Sequence, residues 1–454
     1  MKVRALRAAT VLALAAAMTA SLVGCSGSPA APAASSKVTI TVGDRPPTSQ
    51  PEPRKLFDAQ VVAFEKANPN ITLKPSETAY DVTTFQALLA GGNLPDVFAV
   101  PFTDPQGLIK KGQIADITEA LDTAGITKQL NKTTLTVGQD ASGKIYGIPS
   151  GAYSIGLVYN RALFTKAGLD PNKPPTTWDQ VRTDAKAITD ATGVPGFETL
   201  GTKNQGGWIF TAITYSFGGS IENTAGTKVT FNAAPSKKAL QTLKDMRWTD
   251  GSMGPNGLYD LDSMSQDFAA GKVGMWIAAP DVYNAAITNN KMDKANFGVG
   301  GMPQSGGTNG TLSGGTLQVV SPKTTEAQRV AAVKWINWNY VRQFENKDAA
   351  LQVATAAGAS GNPVGLPGLS VVSASTNKQY LSWIKSDINV PVSNFDPYVA
   401  ASAKLPITPE PVNDAQEVYA ALDPIIQAVL TDKNANIDQL LASAETAINA
   451  KLSR

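Results

Sequence analysis

Residues 38–73 read VTITVGDRPPTSQPEPRKLFDAQVVAFEKANPNITL, and this stretch decides the fold class. Apolar and polar residues alternate at 38–42, which is typical of a β-strand, and a second short strand follows at 71–73. Between the two, apolar residues recur at helical spacing from 56 to 64, and an Asn-Pro pair ends the helix. A strand, a helix and a strand in this order predict a βαβ unit and a parallel sheet in an α/β fold.

The same alternation of elements continues outward from this unit. Residues 85–89 predict a helix that two glycines close, and the apolar run 97–100 predicts a buried strand. Near the end of the chain, apolar residues at helical spacing predict two helices, at 418–429 and 437–448. The chain therefore reads as an α/β protein that ends in helices.

The composition limits the chemistry available to these elements. The chain has 454 residues, enough for two or three domains, and contains no histidine and one cysteine. The absence of imidazole excludes Ser-His-Asp and Cys-His catalysis and histidine metal ligation, and one thiol excludes internal disulfides and thiolate metal clusters. The net charge of +2 and the lack of basic clusters predict no nucleic-acid partner. We expect neither a metal nor a cofactor.

The N-terminus predicts export and lipid anchoring. Three cations precede the apolar run 8–23, which is too short for a convincing membrane span and ends in Leu-Val-Gly before Cys25. This resembles a bacterial lipoprotein signal, in which the cysteine is lipidated and becomes the new N-terminus. We therefore interpret residues 1–24 as a signal peptide, Cys25 as the lipidation site and 25–36 as a flexible tether rich in Ser, Ala and Pro.

Several motifs, read in order, resemble one protein family. They are YGIP at 146–149, LVYNRALFTKAGL at 157–169 and PPTTW at 174–178, with LPDV at 94–97 and FAAGKVGM at 268–275. This order and spacing are similar to those of the family 1 extracellular solute-binding proteins, the receptors of bacterial ABC importers for sugars. Each piece also has a local explanation, because Tyr-Gly-Ile-Pro suits a hinge or a turn, and Asn160 and Thr177 suit helix N-caps.

The resemblance implies a two-lobe periplasmic-binding-protein-like fold, with a hinge and an interlobe ligand cleft. The chain would pass between the lobes near 147–151, 302–312 and 360–365. The first lobe is then expected to contain residues 37–148 and 309–361, and the second lobe residues 149–308 and 362–454 with the C-terminal helices.

The function that this resemblance implies is binding without chemistry on the ligand. The protein would bind a mono- or oligosaccharide between its lobes and deliver it to the transmembrane permease of an ABC importer. We expect a monomer that is anchored through Cys25 on the outer face of the bacterial cytoplasmic membrane, with no catalytic residues.

A sugar-binding cleft needs aromatic rings that stack on C–H faces, and polar side chains that bind hydroxyl groups in pairs. We expect them on loops that follow strands, at the carboxyl edge of the sheet. Trp276 directly follows Met275, where the family more often has a spacer, so core packing is its alternative. The predicted ligand-binding residues are Asp44, Arg45, Tyr80, Phe102, Asp104, Tyr153, Trp208, Trp276 and Asp281.

Two other classes of function remain open from the residues alone. A secreted carbohydrate-active enzyme could work with a pair of carboxylates and no histidine, although no G-x-S-x-G, P-loop or dinucleotide-binding motif is present. A receptor for a polyamine or a peptide is the other alternative, and a polyamine would need several converging carboxylates.

Overall fold

The fold is described from a computed structural model, which covers residues 37–81, 84–223, 226–412 and 414–452. Cys25, the predicted signal peptide and the predicted tether lie outside these described residues. The strands are β1 Val38–Val42, β2 Ile71–Pro75, β3 Val97–Pro101, β4 Gly147–Ser154, β5 Gly156–Asn160, β6 Met275–Ala278, β7 Phe297–Gly300, β8 Thr311–Val320 and β9 Ile407–Pro409.

Helices occupy most of the chain between these strands. They are α1 Pro51–Ala67, α2 Phe85–Gly91, α3 Pro105–Lys110, α4 Thr118–Ala124, α5 Lys132–Leu135, α6 Arg161–Lys166, α7 Trp178–Thr192, α8 Gln205–Ser216, α9 Ala234–Trp248, α10 Leu261–Ala269, α11 Glu326–Ile336, α12 Lys347–Ala359, α13 Ala374–Trp383, α14 Asp396–Ser402, α15 Ala415–Thr431 and α16 Ile437–Leu452. Short 3-10 helices lie at Thr127–Gln129, Thr136–Gly138, Lys294–Asn296, Arg342–Phe344 and Val392–Phe395, and short π-helices lie at Asn284–Asn289 and Asn337–Val341. In the described part of the chain, no helix combines the length and apolarity that a membrane crossing requires.

The larger sheet has the strand order β2-β1-β3-β8-β4, and β9 pairs with the first residues of β8. Strands β1, β2 and β3 run parallel, which confirms the βαβ unit predicted from residues 38–73. Strand β8 runs antiparallel to both β3 and β4, so the sheet is mixed rather than wholly parallel. The expectation of a parallel sheet is wrong for these strands, because the chain passes through the core of the smaller sheet between 155 and 312 and returns as β8 in the opposite direction.

A second, smaller sheet has the order β6-β5-β7 and is antiparallel throughout. Helices α7, α8, α9, α10 and α15 contribute buried residues to the core that surrounds it. The larger sheet has separate cores on its two faces, one with α1, α4 and α11 and the other with α2 and α3. We call the body around the larger sheet the first lobe and the body around the smaller sheet the second lobe.

The core residues show where the chain changes from one lobe to the other. Buried residues up to Ile148 belong to the cores of the first lobe, and those from Ile155 to Leu312 belong to the core of the second lobe. From Leu317 the buried residues again belong to the first lobe. The chain passes again to the second lobe between 372 and 390. The limits at 148/149, 308/309 and 361/362 stay predictions. The predicted hinge YGIP lies largely within β4, where the pairing with β8 shifts between Pro149 and Gly151, and is not a free turn.

Two predicted helix starts are confirmed by their hydrogen bonds. The Asn160 side chain accepts from the Leu163 backbone N–H at 3.1 Å at the start of α6. Thr177 forms a capping box with Gln180 at the start of α7. These two caps fix the ends of helices that pack directly on the second lobe's sheet.

Candidate functional site

Two neighbouring cavities lie between the lobes. The larger has a volume of about 550 Å³ and the smaller about 240 Å³, and Thr103, just beyond β3, lines both. Residues of the larger cavity include Tyr80, Asp104, Lys110, Lys111, Val412 and Asp414. Residues of the smaller cavity include Tyr153, Lys203, Trp208, Glu410, Gln416 and Tyr419. Four of the predicted site residues, Tyr80, Asp104, Tyr153 and Trp208, therefore come together in one interlobe cleft.

Trp208 reaches the cleft because the start of α8 is fixed against α15. The Asp423 carboxylate, on α15, accepts from the backbone N–H groups of Asn204 and Gly207, both at 2.7 Å. Gly207 lies so close to the Tyr419 backbone that a side chain there would collide with it. The glycines before Trp208 thus permit a close helix contact, which places Trp208 and Tyr419 side by side on the cavity wall.

Tyr153 approaches Trp208 from β4. The two ring centroids are 6.1 Å apart and the rings are nearly perpendicular, at 89°. This is an edge-to-face pair, and both of its rings line the smaller cavity. Burial raises the pKa of the Tyr153 hydroxyl well above its ordinary range, and the nearby charges of Glu410 and Asp281 raise it further. Tyr153 is therefore a neutral hydrogen-bonding group at the cavity wall.

Glu410, which follows β9 directly, is the acidic group of the smaller cavity. Its side chain is 7% exposed, and burial raises its pKa to about 8, opposed by the Trp208 N–H and the Tyr153 hydroxyl. The Trp208 indole N–H is buried beside this carboxyl without reaching the geometry of a full hydrogen bond. Glu410 thus adds a carboxyl to the aromatic wall, held in a protein environment that disfavours its charge.

Asp104 and Tyr80 are two polar residues of the larger cavity and lie beside each other. Burial raises the pKa of Asp104, and the hydrogen bond from the Tyr80 hydroxyl opposes that rise. The charge of Asp414, from the second lobe, acts on Asp104 in the same direction as burial. The Tyr80 ring stacks on Phe98 at 6.5 Å, which fixes its position against the first lobe. Carboxylates from both lobes thus face this part of the cleft.

Asp44 and Arg45 were predicted as ligand-binding residues but line neither cavity. Asp44 has a positive φ of 59°, which turns its carboxylate toward β3, where it accepts from the Ala99 N–H at 2.7 Å. Arg45 makes two hydrogen bonds to the Asp58 carboxylate on α1, at 2.8 and 2.6 Å. Both side chains thus connect elements of the first lobe and are held away from the two cavities.

The other three predicted residues also lie outside the lining of these cavities. Phe102 is buried in the first lobe between β3 and β8. Trp276 is 1% exposed in β6, so the core-packing alternative describes its position. Asp281 is exposed after β6, and its charge reaches Tyr153 but its side chain does not line the cavity.

The sequence reading missed Glu410, Tyr419, Gln416 and Lys203. Glu410 follows a strand, as Asp44 and Asp104 do, but that strand has three residues and lies between prolines, so it gives no strand signal. Tyr419 shares the helical periodicity of α15 and looks like a core residue. The useful signal was the pair of glycines before Trp208, which marks the helix contact that brings Tyr419 to the cleft.

This arrangement can bind a small polar molecule that has apolar faces. It offers three aromatic rings, amide groups at Asn204, Gln205 and Gln416, and a buried carboxyl. Within the described residues, no three Cys, Asp or Glu side chains converge to hold a metal ion.

Comparison with known sequences gives relatives that are described as binding proteins. The sn-glycerol-3-phosphate-binding periplasmic protein UgpB of Salmonella typhimurium is 27% identical over 330 residues, which cover 67% of this chain and 72% of that protein. A protein of Brucella abortus described as a binding protein is 28% identical over 257 residues, or 54% of this chain. The chain spans 59% of the length of that Brucella relative.

Comparison with solved structures confirms the two-lobe periplasmic-binding-protein fold. The cyclic alpha-maltosyl-1,6-maltose binding protein of Arthrobacter globiformis matches with a TM-score of 0.70 and 25% identity, over 92% of this chain and 99% of that chain. UgpB of Mycobacterium tuberculosis in complex with glycerophosphocholine matches with a TM-score of 0.69 and 15% identity, over 93% and 99%. The second of these likenesses shows the fold alone.

A family model for bacterial extracellular solute-binding proteins matches residues 47–340, which is more than half of the chain. This match confirms the resemblance drawn from the motifs at 146–178. The chain belongs to the bacterial extracellular solute-binding proteins.

Proposed function

We propose that this protein is a receptor for a carbohydrate, which it binds between its lobes and delivers to an ABC importer permease. The observation that carries the proposal is the edge-to-face pair of Trp208 and Tyr153 beside the buried carboxyl of Glu410. Flat rings suit the C–H faces of a sugar, and a buried carboxyl with neighbouring amides suits its hydroxyl groups.

Binding between two lobes also provides the signal for delivery. A solute that contacts both lobes favours the closed arrangement over the open one, because only the closed arrangement has both sets of contacts. The cleft has such two-sided walls, with Tyr80 and Asp104 from the first lobe and Trp208 and Tyr419 from the second. Lipidation of Cys25 on the outer face of the membrane would keep the receptor near its permease.

A phosphate-bearing solute is the second candidate, because UgpB of Salmonella typhimurium is a glycerol-3-phosphate-binding protein. Among the described residues that line the smaller cavity, Lys203 supplies the only cation, and it forms an ion pair with Asp260. Lys110 and Lys111 line the larger cavity but are exposed. The cleft carboxylates disfavour a phosphate, so the charges support a carbohydrate.

A thermal-shift screen followed by calorimetry tests the proposal. The full chain, purified in detergent, is heated with neutral and amino sugars, oligosaccharides, glycerol-3-phosphate, glycerol phosphodiesters, peptides and polyamines. A ligand at one hundred times its Kd adds about 2.7 kcal/mol to the native state, which raises the melting temperature by several degrees. Binding of a saccharide with no turnover supports the receptor. Binding of glycerol phosphates alone contradicts the carbohydrate assignment, and hydrolysis of a bound saccharide would support the carboxylate-pair enzyme instead.

A further inference from the structure

The smaller cavity places aromatic side chains around one carboxyl. Trp208, Tyr153 and Tyr419 line it together with Glu410, and Tyr215 lies behind them, with its hydroxyl donating to the Pro409 carbonyl at 3.3 Å. Glu410 is 7% exposed, so more than nine tenths of its surface is removed from water. Burial of a carboxyl disfavours its charged form unless an opposite charge or several hydrogen bonds compensate.

Nothing in the described part of the chain supplies that opposite charge. Lys203, which lines the same cavity, is paired with Asp260. Asp104 faces Glu410 from the first lobe, and its negative charge disfavours ionisation of Glu410. Asp414 adds a further negative charge near Asp104. Three carboxyl groups from both lobes therefore surround the cleft, and none takes part in an ion pair among the described residues.

A second observation at the same cavity concerns Tyr419. This residue is 1% exposed, and its hydroxyl has no hydrogen-bond partner among the residues that the structure describes. A buried hydroxyl without a partner is unfavourable. Tyr419 and Glu410 line the same 240 Å³ space, and the charge of Glu410 acts on the Tyr419 hydroxyl, so both unmet requirements lie at one cavity.

We propose that the solute carries a protonated amine, which pairs with the Glu410 carboxylate and lies against the aromatic rings of Trp208 and Tyr153. This inference rests on the proposed receptor function and names the class of its ligand: an amino sugar or a related aminated polyol. An ammonium group over an aromatic face is attracted by the ring quadrupole, and most strongly by that of tryptophan. The amine also gives Glu410 the opposite charge that the described residues do not supply, because Lys203 is paired with Asp260.

The charge state of Glu410 makes this pairing measurable. In the free protein its pKa is about 8, through burial and the charge of Asp104, against the Trp208 N–H and the Tyr153 hydroxyl. The hydroxyls of Tyr419 and Tyr215 also lie near Glu410. The nearby cation, Lys203, forms an ion pair with Asp260 instead. At pH 7 the free carboxyl therefore holds a proton, and binding of an ammonium group expels it to solvent. A neutral sugar leaves that proton in place.

The experiment compares matched ligands that differ only in their amines, by one amine per sugar ring. The full chain in detergent is titrated at pH 7 with glucose and glucosamine, and with cellobiose and the disaccharide of two glucosamines. Putrescine and spermidine form a separate arm, because a linear polyamine carries the same ammonium chemistry without a sugar ring. We expect the amine to bind about tenfold or more tightly than its neutral partner. Repeating the titration in buffers of different ionisation enthalpy should reveal the release of close to one proton.

Two isosteric variants separate charge from packing. Glu410→Gln keeps the shape but cannot ionise, so it should remove both the preference for the amine and the proton release. Glu198→Gln is the matched control, because Glu198 is also buried, at 1% exposed, also has a pKa of about 8, and lines neither cavity. It should leave binding unchanged. Asp104→Asn provides a second test if the Glu410 variant does not fold, and should weaken amine binding with less effect on neutral ligands.

Each outcome has a distinct meaning. Equal or tighter binding of the neutral sugar overturns the amine proposal and leaves the carbohydrate receptor intact. Binding of polyamines alone supports the ammonium pairing and overturns the carbohydrate assignment. Amine preference that survives in Glu410→Gln overturns the role of Glu410. If no saccharide, amine or polyamine binds, both the ligand class and the proposed function are wrong.

Discussion

Replacing Trp208 and Trp276 separately by alanine tests the placement of the cleft. The two residues have the same side chain in the same lobe but different surroundings. Trp276 is 1% exposed, lies in β6 opposite Val158 of the smaller sheet, and packs against Phe268 with ring centroids 6.1 Å apart. Trp208 is only partly buried, lines the 240 Å³ cavity and meets Tyr153 edge to face.

Because of these surroundings, the two substitutions should cause different losses of folding stability and of binding affinity. Trp276→Ala leaves a hole in a close-packed core, which costs about 3–5 kcal/mol, because neighbouring strands cannot collapse into it. At about 2 °C per kcal/mol, its melting temperature should fall by roughly 6–10 °C. Trp208→Ala removes a ring that already borders open space, so about 1–2 kcal/mol is expected. Loss of its contact with a sugar should weaken binding by about 2 kcal/mol, or roughly thirtyfold.

Calorimetry measures both quantities on the same preparations. Scanning without ligand gives the stability of each variant, and titration with the saccharide found in the screen gives the affinity per folded molecule. Trp276→Ala should be the less stable variant, with near-normal affinity at a temperature where it is folded. If Trp208→Ala loses as much stability as Trp276→Ala and binds normally, then Trp208 is a core residue and the aromatic wall is assigned wrongly.

Three further predictions concern two glycines beside the cleft, a buried carboxyl group and the lipid anchor. The methyl group of Gly314→Ala would collide with the Tyr153 ring, so this variant should weaken binding. The methyl group of Gly315→Ala would collide with the Gly151 backbone, so this variant should lower the melting temperature. The reverse pattern would contradict this geometry. Burial raises the pKa of Glu198 from 4.5 to about 8, so the folded state keeps a proton that the unfolded state has lost, and stability should fall as pH rises between these values. Glu410 has the same raised pKa and contributes to the same fall, so Glu198→Gln should remove only part of it. A stability difference between this variant and wild type that is constant with pH would exclude Glu198 as a source. Radiolabelled palmitate should label the wild type but not Cys25→Ser, and equal labelling would rule out the lipid anchor.

The features that the sequence predicted are those that neighbouring residues determine. The βαβ unit depends on alternation within β1 and on the apolar face of α1, and the caps at Asn160 and Thr177 depend on side chains within three residues. Such patterns are local, so one sequence is sufficient to find them. The antiparallel entry of β8 depends instead on pairing with strands more than 150 residues away, and no local pattern encodes that direction.

The site shows the same division more sharply. Asp44 and Asp104 both follow strands, but the positive φ of Asp44 turns its carboxylate onto the backbone of β3, and only Asp104 reaches the cleft. Trp276 and Trp208 both follow recognisable motifs, but the pairing of β6 fixes Trp276 in the sheet and buries it completely. The sequence identifies which residues could bind a ligand, whereas backbone direction and strand pairing decide which of them do.

Glu410 shows how the ligand of this fold can change while its frame, meaning the strand pairing and helix contacts around the cleft, stays the same. The segment before it is held by the backbone pairing of β9 with β8, and α8 and α15 are held by Asp423 and the close contact at Gly207. None of these interactions uses the side chains of Glu410, Gln416 or Trp208, which face the cavity. Substitution at Glu410 can therefore alter charge and hydrogen bonding in the cleft while both lobes keep their packing. Trp208 and Gln416 also contribute to the second lobe, through core packing and a hydrogen bond from the Asn204 side chain at 3.3 Å. Because frame and lining are separable in this way, a shared fold leaves the ligand to be determined from the side chains of the cleft itself.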